Sequence, residues 1–104
     1  MKQNPKEFAK EYVTNMGVDT SRIGFIESGN LIQTLDRVIN DLKCNRTYDA
    51  IAITAEYVTD LDNFMSMYVE YANLVESDTV ISLHNRQHRL PIVVVKKKNC
   101  NLEI

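Results

Sequence analysis

Three observations predict an α/β fold for this chain of 104 residues. Apolar stretches of strand length alternate with amphipathic stretches of helix length. Hydrophobic residues make up 44% and charged residues 25% of the sequence, which is typical of a globular domain. With only three glycines and two prolines, long loops are not expected. We therefore predict one domain over residues 1–104, with a loose tail from residue 98 onward.

A helix is predicted near the start of the chain by its capping pattern. Asn4 can accept a hydrogen bond from the first turn, Pro5 is tolerated there, and Glu7 completes a capping box. Apolar residues follow at helical spacing as far as Gly17, a residue type that commonly ends helices. The short apolar run at residues 23–26 is predicted to be the first strand.

The second helix and second strand are predicted from apolar patterns of different kinds. The apolar stripe of the helix comprises Leu31, Ile32, Leu35, Val38, Ile39 and Leu42. Polar residues occupy the rest of its circumference, as on an amphipathic helix. Residues 48–54 are apolar on both faces, which indicates a strand buried within a sheet.

The remaining elements are a third helix and two strands. Thr59 is the expected helix cap, because a threonine side chain can bind a free N–H of the first turn. The predicted inner face of this helix comprises Leu61, Phe64, Met65, Tyr68, Ala72 and Val75. Residues 79–83 and 90–95 are predicted to be strands joined by a short polar connection.

The element order αβαβαββ predicts a three-layer α/β sandwich around a mainly parallel four-stranded sheet. Because the last strand follows a short connection, we expect it to be antiparallel and to lie at an edge. Lys96, Lys97 and Lys98 would then protect that edge from pairing with other chains.

Three short sequence motifs follow one another along the chain: Phe-Ile-Glu-Ser-Gly at 25–29, Asp-Leu-Lys at 41–43 and Tyr-Asp-Ala-Ile-Ala-Ile at 48–53. In this order they resemble the catalytic domain of serine recombinases, the resolvase and invertase group. The predicted first helix and the strand near residues 80–83 fit the same pattern. The resemblance covers about three-quarters of the chain and implies a resolvase-like fold.

The sequence departs from that family at the positions of the family's catalytic residues. The family opens with a strand that carries an arginine and the nucleophilic serine, and this chain is expected to lack it. Arginines that hold the scissile phosphate follow the family's third strand, whereas residues 55–60 contain no arginine and two acids. A C-terminal DNA-binding domain is also not expected. The resemblance therefore implies a domain without strand-exchange chemistry, and no catalytic residue is assigned.

The absent strand lies in the middle of the sheet in that family. Its two neighbours must then pair directly, or a partner chain must supply a strand. The second arrangement would make this chain an assembly module.

Charge is distributed unevenly along the chain. Residues 1–83 contain seven Lys or Arg and thirteen Asp or Glu, whereas residues 84–98 contain five Lys or Arg and no acid. A basic patch on an acidic body favours contact with phosphate or nucleic acid. The candidate binding residues are His84, Arg86, His88, Arg89, Lys96, Lys97 and Lys98.

The connection from His84 to Arg89 admits three interpretations. Two histidines and two arginines could bind a phosphate and move a proton, as a nuclease or phosphatase requires. The segment could instead bind an anion without catalysis, or form a solvated hairpin loop. No metal site is expected, since the histidine pair has no acid nearby.

Ser28, Gly29 and Asn30 lie between a predicted strand and the start of a helix. Free backbone N–H groups at such a position can bind an anion. The same residues can also form a plain helix cap, which is the interpretation that we favour.

Membrane insertion and disulfide bonding are not expected. The apolar runs of four or five residues are far shorter than the ~20 residues that span a bilayer. No signal peptide is visible. Cys44 and Cys100 are not at metal-ligand spacing, so we expect free thiols in a cytoplasmic protein without a cofactor.

With the resemblance, these features predict a non-catalytic, recombinase-like domain that acts by binding, and an origin in a mobile element or phage. The expected partner is a second copy of the chain, giving a homodimer, and weak binding of nucleic acid is a further expectation. The alternative is a small nuclease or phosphatase that uses residues 84–89. A flavodoxin-like nucleotide or receiver domain is disfavoured because too few strands are predicted.

Overall fold

A computed structural model describes residues 5–44, 48–55, 58–85 and 92–100, with the backbone alone at residues 5, 31, 44, 58 and 83–85. The helices are α1 (Pro5–Asn15), α2 (Leu31–Cys44) and α3 (Val58–Leu74). The strands are β1 (Ile23–Glu27), β2 (Ala50–Thr54), β3 (Thr79–Asn85) and β4 (Ile92–Lys97). The predicted order αβαβαββ is confirmed.

The last strand, β4, lies inside the sheet. The strand order is β1-β2-β4-β3, in which β1 and β2 are parallel and β4 is antiparallel to both of its neighbours. The antiparallel direction of β4 is confirmed, but its predicted edge position and the mainly parallel sheet are wrong. Residues 92–95 of β4 are buried on both faces, and an interior position removes such a strand from water more completely than an edge does.

Helices cover both faces of the sheet, so the fold has three layers. On one face, α1 packs on alternate strand residues; this core comprises Ala9, Val13, Ile23, Ala50, Ala52, Ile92 and Val94. On the other face, α2 and α3 pack side by side; this core includes Leu35, Val38, Leu42, Ile51, Ile53, Leu61, Phe64, Tyr68, Val93 and Val95. β2 and β4 contribute to both cores, which makes them the centre of the molecule.

The structure corrects two predictions about the helices, one about the apolar face of α2 and one about the start of α3. The side chain of Ile32 is 66% exposed, so the apolar face of α2 is narrower than predicted. α3 already begins at Val58, which places Thr59 within the first turn and not at its cap. Gly17, with φ of 82°, follows α1 as predicted, whereas Asn4 lies outside the described residues.

None of the helices within the described ranges is both long enough and apolar enough to cross a bilayer. The longest of them, α3, has 17 residues and carries acidic side chains.

Gly24 allows β1 to approach β2 closely. A Cβ atom at this position would lie 2.8 Å from Cδ1 of Ile51 and 3.5 Å from the ring of Tyr48. The side chain of Ile51 is itself almost fully buried, so it has little room to move away.

We expect Gly24→Ala to lower the free energy of unfolding by about 1 kcal/mol, because Ile51 must leave its preferred rotamer. Urea unfolding followed by circular dichroism measures the change. Gly29→Ala is the matched control, since no atom lies within 4 Å of a Cβ there. Equal stability of the two variants would contradict the close contact.

Candidate functional site

Two residues of the predicted basic patch, His84 and Lys97, lie toward opposite ends of β4. Asn85 pairs with Ile92 at the end where β1, β2 and β3 finish, whereas Thr79 pairs with Lys97 at the other end. His84 pairs with Val93, so β4 separates it from Lys97 by about 13 Å at about 3.3 Å per residue. The backbones of His84 and Lys97 are therefore not adjacent, whereas a basic patch that includes Arg86, His88 and Arg89 stays a prediction.

The connection between β3 and β4 falls largely outside the described residues. Arg86, His88 and Arg89 lie there, and His84 is described by its backbone alone. β3 continues to Asn85, which places His84 in a strand and not in the loop that the sequence predicts. Phosphate binding or catalysis by this group stays a prediction.

The three lysines lie at the amino end of β2 and β3. Lys96 and Lys97 are partly buried within β4, and Lys98 is exposed just after it. The backbone N–H of Lys98 donates to the carbonyl oxygen of Asp78 at 3.0 Å, which continues the pairing of β4 with β3. The prediction that these lysines protect a sheet edge is wrong, because β4 has a neighbour on each side.

Asp49 is the ionic centre of this end of the sheet. Nε of Arg22 donates to its Oδ2 at 2.6 Å and Nη2 donates to its Oδ1 at 3.1 Å, which makes a bidentate pair. Nζ of Lys97 lies 4.0 Å from the same Oδ1. The hydrogen bond from Arg22 holds the pKa of Asp49 below its usual range.

Backbone hydrogen bonds make Asp49 a junction of three strands. Its N–H donates to the carbonyl oxygen of Arg22 at 2.9 Å, and its carbonyl oxygen accepts from the N–H of Lys97 at 3.0 Å. The start of β1, the start of β2 and the end of β4 therefore meet at one residue. This role of Asp49 could not be predicted from the sequence, since nothing local links it to Arg22.

A cavity of about 390 Å³ opens beside Asp49. The residues that line it include Asp49, Glu76 and Asp78, which are acidic, and Lys43 and Lys97, which are basic. Of these residues, only Lys97 is among the binding residues predicted from the sequence. In open α/β sheets ligands usually bind at the carboxyl ends of the strands, and this cavity lies at the amino ends of β2 and β3.

Ser77 and Thr79, which line this cavity, form a chain of hydroxyl hydrogen bonds that continues to Tyr68. The Oγ1 atom of Thr79 lies 2.7 Å from the hydroxyl oxygen of Tyr68 and 2.9 Å from Oγ of Ser77. Burial raises the pKa of Tyr68, so its hydroxyl stays protonated. This chain of hydrogen bonds attaches α3 to the start of β3, which indicates a structural role. Within the residues that the structure describes, no three His, Cys, Asp or Glu side chains form a group that could hold a metal.

Asn30 caps α2. Its Oδ1 accepts from the backbone N–H of Gln33 at 3.1 Å, and its carbonyl oxygen accepts from the N–H of Thr34 at 2.9 Å. The N–H of Ser28 donates to the carbonyl oxygen of Thr54, while the buried Oγ of Ser28 has no hydrogen-bond partner within the described part of the chain. The geometry is that of a plain cap, and anion binding at Ser28, Gly29 and Asn30 stays a prediction.

Comparison with protein-family models, curated proteins and solved structures found no match to this chain. The resemblance to serine recombinases therefore rests on the short sequence motifs alone. Because β1 and β2 pair directly over five residues, no gap remains between them for a partner strand.

We expect Asp49→Asn to lower the free energy of unfolding by about 1 kcal/mol at neutral pH, a value reduced by solvent screening of the partly exposed pair. The pKa of Asp49 is lower in the folded than in the unfolded chain. The stabilisation is thus fully present when the pH is above the unfolded-state pKa of ~3.9. It is lost as the pH falls through the lower pKa of the folded state.

Urea unfolding of both proteins over a range of pH measures this difference. Asp41→Asn is the matched control, because Asp41 lies 3.7 Å from Arg37 in an exposed pair one helical turn apart, which contributes little. A difference between Asp49→Asn and the parent protein that is constant down to the lowest pH would contradict the ionic role.

Proposed function

We propose that this domain is a non-catalytic, recombinase-like module that associates with a second copy of itself through the free edge of β3. The absence of the recombinase arginine motif, read from the sequence, supports the non-catalytic part. An origin in a mobile element or phage rests on the same resemblance.

The observation that carries the proposal is the chemical character of β3. Among the described residues, no strand pairs with its outer side. Its seven residues, Thr-Val-Ile-Ser-Leu-His-Asn, include no Lys, Arg, Asp, Glu or Pro, and the side chain of Val80 is 38% exposed. Edge strands that remain unpaired usually carry charges or proline, so this edge is suited to pairing.

A β-bulge restricts the length over which β3 can pair. The register shifts between Ile81 and Leu83, and Oγ of Ser82 donates to the carbonyl oxygen of Val94 at 3.3 Å. Bulges bend a strand and interrupt its hydrogen bonding. Residues 79–81 and 83–85 pair regularly on either side of the bulge, so neither regular stretch exceeds three residues and the expected association is weak and reversible.

The opposite edge of the sheet is less suited to association. β1 has five residues and ends at Glu27, which is exposed. A charge on an edge strand opposes pairing with an identical strand, because the two copies repel each other.

The alternative function, a small nuclease or phosphatase, depends on side chains of residues 84–89 that the structure does not describe. The lysines expected to extend that basic group lie at the other end of β4. Weak binding of nucleic acid by either group would be salt-dependent and insensitive to sequence. The nuclease or phosphatase alternative therefore stays a prediction.

Light scattering over a range of concentrations, in low and in high salt, tests the proposal. We expect a dimer that forms with rising concentration and persists in high salt, because the edge carries no charge. Val80→Lys should shift the protein toward monomer at every concentration. Ile32→Lys is the matched control, since it places the same charge on a more exposed aliphatic site of α2.

A parent protein that stays monomeric throughout would overturn self-association. A dimer that both lysine variants leave intact would show that another surface is used.

A further inference from the structure

The two cysteines of this chain are far apart in sequence, and the fold brings them to the same end of the sheet. Cys44 is the last residue of α2, which leads from the end of β1 back to the start of the parallel strand β2. Cys100 follows β4, which is antiparallel to β2 and ends beside its first residue, since Lys96 pairs with Ala50. Both cysteines therefore lie near the amino end of β2.

Hydrogen bonds hold Cys100 close to this end of the sheet. Its N–H donates to the carbonyl oxygen of Lys97 at 3.3 Å, which closes a turn after β4. The N–H of Lys97 in turn donates to the carbonyl oxygen of Asp49 at 3.0 Å, just before β2. Cys100 is a free thiol and is only partly buried, so a small thiol reagent can reach its sulfur.

The cavity beside Asp49 is bordered by both cysteine-bearing segments. Leu42 and Lys43, the two residues before Cys44, line it from α2, and Cys100 lines it from the turn after β4. Consecutive Cα atoms are about 3.8 Å apart, so the backbone of Cys44 is one residue from the cavity lining. The volume of about 390 Å³ equals that of roughly 13 water molecules at about 30 Å³ each, so a narrow space separates the two segments.

We infer that Cys44 and Cys100 form a reversible disulfide bond beside this cavity, with glutathione disulfide as the oxidant. One cysteine attacks glutathione disulfide and releases a first glutathione, which leaves a mixed disulfide on the chain. The other cysteine attacks the mixed disulfide and releases a second glutathione. The two glutathione molecules take up the two protons and two electrons that the cysteines lose. In a reducing compartment the pair stays as the two thiols expected from the sequence.

The bond ties the end of α2 to the chain that follows the interior strand β4. Closing so long a loop lowers the conformational entropy of the unfolded chain, so the oxidised protein is the more stable form. Reduction releases the turn after β4 and leaves its hydrogen bonds to hold it, such as the one from the N–H of Lys98 to the carbonyl oxygen of Asp78 at 3.0 Å. The pair thus couples the stability of the sheet to the redox state of the surroundings.

Intact-mass measurement of dilute protein in increasingly oxidising glutathione buffers tests the inference. We expect the parent chain to lose two hydrogen atoms without gaining glutathione, and peptide mapping to join Cys44 to Cys100. Glu27→Cys in the Cys100→Ser background is the matched control, because it keeps two thiols in the chain. Glu27 is exposed and lies just before α2, a helix of 14 residues that is about 21 Å long, so its distance from Cys44 is too great for a disulfide. We expect at least about tenfold more internal disulfide in the parent chain.

Urea unfolding of the oxidised and reduced parent protein measures the effect on stability. We expect oxidation to raise the unfolding midpoint by at least about 1 M urea, dithiothreitol to reverse the rise, and Cys44→Ser to show no rise.

Glutathione adducts or covalent dimers without the internal bond would overturn the pair, as would equal internal oxidation of the Glu27→Cys control. An internal bond that leaves the midpoint unchanged or lowers it would overturn the redox switch. Because the protein is kept dilute, the result does not depend on self-association through β3, and the two proposals can fail separately.

Discussion

The interior position of β4 is the constraint on which the rest of the structure depends. A run of four residues, Ile92 to Val95, is buried on both faces, so it needs a strand on each side and helices above and below. β2 and β3 supply the strands, and all three helices contribute to the two cores that its side chains enter. Removing this strand would divide the sheet into a parallel pair and a single strand.

The same constraint decides where the charges and the free edge lie. Because β4 crosses the molecule from end to end, the cations that follow it are carried to the junction at Asp49 and the cavity beside it. Because β4 occupies the place next to β2, β3 is displaced to the edge, and its uncharged sequence becomes the exposed side of the sheet. The features on which the proposed function rests are thus consequences of one strand's position.

Local patterns were sufficient for the kind and order of the elements, and not for their arrangement. Apolar spacing predicted α1, with Gly17 just beyond its end. The run before Ala55, which is apolar on both faces, predicted the buried strand β2. The short connection before β4 suggested an edge strand, although its four buried apolar residues, Ile92 to Val95, suit the interior of the sheet. The ion pair of Arg22 with Asp49 joins residues 27 positions apart, and only the strand arrangement brings them together.

The order of the sheet has a consequence for how the protein is made. The strand that closes the middle of the sheet is synthesised after its three companions, so a nascent chain presents β2 and β3 with facing sides unoccupied. Closure must therefore wait until residue 97 has emerged from the ribosome. Until then the exposed edges are open to capture by one another or by a neighbouring nascent chain, and a chaperone that shields them would act within this interval.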